Sequence, residues 1–219
     1  MAVITMSRQF GSHAVEVAER LCQDLNLVAF DKRLMARVAS EIGLSENELI
    51  DYSEDQYKQR GFLDALFRRS RPLGEVSSWT GGSRAGYERV VTVLDEEQAI
   101  RLVRAAVLAA HERGNVLIIG RGGQAILEGK PNTLHVRLVA PFESRVHLVM
   151  QQQGLSPAQA RRLIQEHDEA TREYLRNFHH IDVDDPTLYD LVLNVQRLGI
   201  EGTVQLIKQA VAQFEIQTA

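Results

Sequence analysis

The chain has 219 residues, 44% of them apolar, and a formal net charge of −4. That size suits one α/β domain, or a core with a small mobile subdomain, and the near-balanced charge argues against bulk nucleic-acid binding, which needs a basic face. A single cysteine, Cys22, excludes an internal disulfide and reads as a small core residue; with no basic-plus-apolar leader and no apolar run near 20 residues, a soluble cytoplasmic protein without a membrane partner is expected.

The β-branched run Val3–Met6 predicts a first strand, Ser7–Ala14 a polar loop around Gly11, and Val15–Leu25 an amphipathic helix. Strand, tight loop and helix form the framework on which nucleotide-binding proteins hold phosphate, because amides at a helix start point at the anion and the helix dipole favours it. The lysine that normally follows the last glycine of such a loop is missing here. "LVAFD", Leu27–Asp31, predicts a second strand ending on an acidic residue. "KRLMARVASEIG" then reads as a helix with apolar Leu34, Met35, Val38, Ala39 and Ile42, and "LSENELID" restarts one with Ser45 and Glu48 spaced as a capping box. Residues 52–87 mix aromatic, basic and Gly/Ser positions, with Pro72, Gly74, Gly81, Gly82 and Gly86 as punctuation. They predict a mobile insert with one short helix, Gly61–Arg69.

Asp95 is placed to cap a long helix whose apolar positions, Ile100, Val103, Val107, Leu108 and Ala110, recur at helical spacing until Gly114. "NVLIIGRGGQAIL" is an apolar run suited to a buried parallel strand and stops at a glycine-rich turn. "TLHVRLVAP" is the next strand, and a helix follows from about Phe142 to Gln153. Another opens with Ser156 as N-cap, Pro157 at the first position and Gln159 completing a capping box. "YDLVLNV" is a last short strand and "GIEGTVQLIKQAVAQF" a closing helix. Strands alternating with helices imply a parallel sheet covered on both faces, with ligands beyond the carboxyl ends of its strands. That rule singles out Ser7–Ala14, Asp31, Gly120–Gly123 and the residues after Ala140.

Four segments in this order, "ITMSRQFGS", "AFDKRLM", "VLIIGRGGQAIL" and "DDPTLYDLVLN", resemble the cytidylate kinase-like proteins, a branch of the P-loop nucleoside monophosphate kinases. They span nearly the whole chain. The resemblance implies a three-layer, parallel-sheet P-loop kinase-like core forming one domain over residues 1–219. It also implies an acceptor-binding arm at about residues 52–87 and an arginine-bearing lid at about 168–185. The implied reaction moves a phosphoryl group from ATP, with Mg²⁺, to a nucleoside monophosphate such as CMP.

The pattern G-x-x-x-x-G-K-[ST] is degenerate here. With Gly11 set against the middle glycine of ordinary cytidylate kinases, Arg8 and His13 stand at the required glycines, Ala14 at the lysine and Val15 at the Mg²⁺-binding hydroxyl. Relatives without the lysine usually carry a glycine pair where this chain has His13-Ala14, and both residues are strained if the backbone needs φ > 0. Ser7, Arg8, Gln9, Phe10, Gly11, Ser12, His13 and Ala14 are nevertheless the candidate phosphate loop, with Arg8 able to grip phosphate in place of the lysine. The plain alternative is a sharp strand–helix turn.

Asp31 is either an acceptor contact, as the resemblance implies, or a helix N-cap. Gly120, Arg121 and Gly122 let a ligand approach the backbone. The matching arginine of cytidylate kinases contacts the acceptor phosphate, whereas the alternative is a glycine turn with a solvated arginine. Arg172 and Arg176, four apart on one helix face, are candidate catalytic groups that neutralise charge on the transferring phosphoryl, or else a solvated basic face. In the lid pattern an arginine follows the Asp168 position by three residues; Thr171 stands there, and Arg176 fits the lid better than Arg172. Arg161 and Arg162 read as surface residues, and Arg68–Arg71 as a solvated run. His179 and His180 are adjacent and diverge on a regular element, so no metal ligands are assigned, and Mg²⁺ is expected to be held by phosphates and water. No general base is identified. The alternative function is a catalytically silent relative that binds a nucleotide or another phosphorylated ligand in a regulatory role.

Overall fold

A computed structural model describes residues 2–30, 74–80, 88–94 and 96–217. Its centre is β1 (Val3–Arg8), five of whose six residues are buried, as an apolar run in an inner parallel strand must be. Around it lie β2 (Val28–Phe30), β5 (Val116–Ile119), β6 (Thr133–Val139) and β7 (Leu191–Asn194), in the order β2-β5-β1-β6-β7. All four pairings are parallel; β1 pairs Val3 with Val116 on one side and with Thr133 on the other.

Side-chain alternation along β1 sorts the core into layers. Ile4 and Met6 face α1 (Ala14–Leu25) and α6 (Val195–Gln217), packing with Val17, Leu21, Leu138, Val204 and Ile207. On the opposite face Val3, Phe30 and Ile118 pack with α2 (Glu96–Arg113) and α3 (Gly123–Ile126). The same face also carries Thr5, Ser7 and Arg137, all buried. The hairpin α4 (Phe142–Gln153) and α5 (Pro157–His179) packs through Val146, Val149, Ala160 and Ile164, with Phe10 of the first loop against it. The end of α5 meets the start of α2 through Tyr174, Leu175 and Ile100.

This is the three-layer α/β architecture expected, and α4 occupies the expected residues. The Ser156 capping box forms, with Gln159 N donating to Ser156 Oγ and Ser156 N to Gln159 Oε1. Two readings are corrected. The insert contributes β3 (Gly74–Thr80) to an antiparallel hairpin with β4 (Glu88–Leu94), which follows it, pairing Gly74 with Leu94 and Thr80 with Glu88. The turn after β5 also coils into α3, which the apolar run concealed. Asp31, the helices expected after it, the Gly61–Arg69 helix and the Asp95 cap lie outside the described residues. Among the described residues no helix is long and apolar enough to cross a membrane.

Candidate functional site

The first loop leaves the carboxyl end of β1 and is tied to its neighbours residue by residue. Gln9 N donates to Leu138 O (3.0 Å), and Gln9 Oε1 accepts from Ala140 N (3.1 Å). Ser12, buried, donates its hydroxyl to Gln9 O (2.8 Å). Gly11 has φ +78°, and a Cβ there would lie 3.0 Å from Val149 Cγ2, so glycine is required by conformation and by space. The Phe10 N–H donates to Asp168 Oδ1 (3.1 Å). Ser7 is turned inward, its hydroxyl accepting from Arg137 Nη1 (3.0 Å). Arg8, half-buried, closes the strand.

His13 does adopt the left-handed conformation that its sequence position made costly (φ 58°), while Ala14 is already the first residue of α1. No side chain caps the α1 N-terminus; the His13 ring turns instead to Glu16, with Nδ1 3.1 Å from Oε1. A helix start without a side-chain cap, at the ligand edge of a parallel sheet, presents amides and a positive dipole end to an anion. Backbone strain of this kind collects where function requires the shape. His13→Gly is expected to stabilise the fold by about 0.5–1 kcal/mol, since glycine enters this region without the Cβ penalty. A urea denaturation midpoint no higher than wild type's would show that the strain is absent.

The second element is the turn after β5. Gly120 N donates to Met6 O (3.0 Å), fixing the turn to β1, and Gly120, Arg121 and Gly122 all have positive φ (66°, 60° and 67°). Arg121 is 7% exposed, with its guanidinium 5.6 Å from the Phe30 ring centroid, so it is not the solvated arginine of the plain reading. His179 lies directly on the turn: a Cβ on Gly122 would come within 2.3 Å of its Nε2. That nitrogen is buried without a hydrogen-bond partner. Desolvation first, then the charge of Arg104 and of His180, lower the His179 pKa from 6.5 to about 4. A proton therefore binds the unfolded chain more readily than the folded one between those values. Stability is full above pH 6.5 and falls as pH drops toward 4. His135, also lowered by desolvation, acts in the same direction. His179→Phe is expected to flatten the decline between pH 6.5 and 4 in urea titrations; an unchanged slope would contradict the burial of His179.

The third element is α5, where the lid is expected. Arg172 is engaged by Glu169 and lies 3.7 Å from Asp184 Oδ2, while Arg176 is exposed. Asp168 reaches back to the first loop. Two buried arginines that the sequence did not single out support the same edge. Arg137 on β6 joins Ser7 to Asp184 Oδ1 (2.7 Å). Arg145 on α4 donates through Nη1 to Phe10 O (3.1 Å) and Asp168 Oδ2 (2.7 Å). Both guanidiniums are desolvated, and each is balanced by one carboxylate, the arrangement buried charge requires. Nothing in an apolar strand or an amphipathic helix marks which arginine will be buried; the partners lie 47 and 23 residues away.

Among the described residues no group of three or more His, Cys, Asp or Glu is placed to hold a metal ion, and Val15 is 63% exposed where a Mg²⁺-binding hydroxyl would stand. The described residues therefore form no site for a resident metal.

Comparison with known proteins follows this geometry. A cytidylate kinase of Methanopyrus kandleri is 31% identical over 110 residues, covering 47% of this chain and 57% of that protein. Cytidylate kinases of Pyrococcus horikoshii (30% over 129 residues, 59% of this chain and 64% of that one) and Thermococcus sibiricus (32% over 126 residues, 57% and 61%) are similar. The matched stretches thus span 57%, 64% and 61% of these relatives' lengths. An uncharacterized protein from Eubacterium ventriosum shares the fold with a TM-score of 0.63 at 15% identity, over 97% of this chain and 99% of that one. A shikimate kinase from Bacteroides thetaiotaomicron does so at 0.50 and 14%, over 96% and 98%. Residues 3–197 match the cytidylate kinase-like family as a whole, and the chain belongs to that family.

Proposed function

We propose that the protein is a nucleotide-binding phosphotransferase acting as an ATP-dependent nucleoside monophosphate kinase, with CMP or a related monophosphate as acceptor. The observation that carries the reading is the loop from Gly11 to Ala14, which opens α1 through a strained His13 with no side-chain cap at the ligand edge of the sheet. In this reading Arg8 and the loop amides hold the donor phosphates. Asp31 and Arg121 place the acceptor, and Arg172 and Arg176 close over the transferring group. An acceptor phosphate oxygen bonds to the γ-phosphorus as the bridging oxygen leaves with ADP, a transfer driven by positioning and electrostatics. Mg²⁺ enters with ATP as part of the substrate. Residues 52–87 serve as the acceptor arm and 168–185 as the lid of a single domain working in the cytoplasm.

Exposed Val15 and the absence of the loop lysine favour a second reading, a silent relative that binds nucleotide without turnover. Purified protein with Mg·ATP and CMP, dCMP, UMP, AMP or GMP separates the two. ADP formation above background with one of them is expected. Thermal stabilisation by ATP without ADP would select the silent relative, and neither response would sink both. Arg8→Ala is expected to weaken Mg·ATP binding by about tenfold, the loss of one charge-assisted contact; calorimetric affinity equal to wild type would remove Arg8 from the donor site.

A further inference from the structure

The first loop is shaped from outside by two helices that follow it by more than a hundred residues. Phe10 is held by both of its backbone groups. Its N–H donates to Asp168 Oδ1 at 3.1 Å and its carbonyl accepts from Arg145 Nη1 at 3.1 Å. The same Arg145 Nη1 donates to Asp168 Oδ2 at 2.7 Å, closing a ring of three interactions around one peptide residue. The Phe10 side chain stacks on His167, with centroids 4.1 Å apart and planes within 3°. One residue on, α4 comes so close that a Cβ on Gly11 would meet Arg145 O at 3.3 Å.

Arg145 is 5% exposed and its Nε is buried with no hydrogen-bond partner. A guanidinium placed at that cost is not a casual surface contact. We propose that the Arg145–Asp168 pair is the positioning device of the phosphate loop: it fixes the Phe10 peptide, so that packing of α4 and α5 sets whether the loop can take an anion. The proposal rests on the reading that this loop holds donor phosphates. In a loop with one glycine and no lysine, shape supplied by neighbouring helices replaces shape supplied by sequence, and preorganisation of this kind governs affinity. Neither residue touches the phosphate in this scheme; both act through Phe10.

Hydrogen exchange of residues 9–14 tests it directly on the full chain. In Asp168→Ala the Phe10 amide is expected to exchange at least tenfold faster, about the loss of one charge-assisted hydrogen bond, while amides of β5 and β6 keep their rates. Mg·ATP affinity should fall by about tenfold with the acceptor half-saturation unchanged. Asp168→Asn, which keeps an oxygen for the Phe10 N–H, should lie between. Unchanged loop exchange in Asp168→Ala overturns the proposal, as does faster exchange with unchanged ATP affinity. If Asp168→Ala does not fold, Asp168→Asn, which removes the charge of the pair, should still speed loop exchange; no change there overturns the proposal equally. Wild type that binds no Mg·ATP would defeat the donor-site reading, and the exchange measurement would still decide whether the pair holds the loop.

Discussion

Arg121→Gly is expected to raise the half-saturating concentration of the monophosphate acceptor by about a hundredfold while leaving that of Mg·ATP within about threefold. Two charge-assisted hydrogen bonds from one guanidinium to a phosphate are worth about 3 kcal/mol, and each 1.4 kcal/mol or so is tenfold. Glycine is chosen because Arg121 sits at φ 60°. Its removal relieves about 1 kcal/mol of left-handed strain, against the lost contact over Phe30 and the other interactions of this buried side chain. A melting temperature above the assay temperature shows that lost acceptor binding is not unfolding. Arg121→Lys should recover charge but not the planar fork, and so only part of the affinity. Steady-state kinetics with each substrate varied in turn gives the answer. An acceptor half-saturation equal to wild type's would place Arg121 in the fold alone.

The neighbouring position carries the largest structural effect. Gly122→Ala is expected to destabilise the protein by about 2–4 kcal/mol, combining overpacking with left-handed strain. The new Cβ would lie 2.3 Å from His179 Nε2 and 2.7 and 2.8 Å from its ring carbons. The ring cannot swing away freely, because it packs against Tyr174 with centroids 5.5 Å apart, and Tyr174 is fully buried. Gly154 is the control: it has φ +66°, but a methyl added there would meet nothing within 4 Å, so Gly154→Ala should cost only about 1 kcal/mol. In the double variant Gly122→Ala/His179→Ala the clash disappears, and a coupling of at least about 1 kcal/mol should appear in a denaturant double-mutant cycle. Additive effects would mean that the two residues do not meet.

The parallel sheet was legible because its inner strands are continuous apolar runs bounded by turns, and helix periodicity between them forces the crossovers. Phe142–Gln153 and the Ser156 cap were legible from local chemistry alone. The β3–β4 hairpin was not. "GEVSSWT" lacks apolar alternation, and the glycines and serines around it read as irregular chain, although Val90, Val91 and Val93 in the partner strand carried a β-branched signal. In the site, the location of the first loop and of Gly120–Gly122 followed from strand ends. What did not follow was the company they keep. Arg137 looks like an interruption in β6, yet it is buried against Ser7, and Asp168, at the start of the expected lid, also grips Phe10. Ion pairs across 47 and 23 residues leave no periodicity to read.

The strand order has a consequence for how the chain is made. β1 is synthesised before its partners β5 and β6, so Val3 must wait for Val116 and Thr133. Contacts of such long sequence separation make for slow folding, and a nascent chain would carry β1 unpaired until β5 and β6 have emerged. The first loop is later still, since Arg145 and Asp168 must both emerge before Phe10 can be held. A truncated chain ending before α5 should therefore depend on chaperones, and its first loop takes its final shape only once α5 has formed.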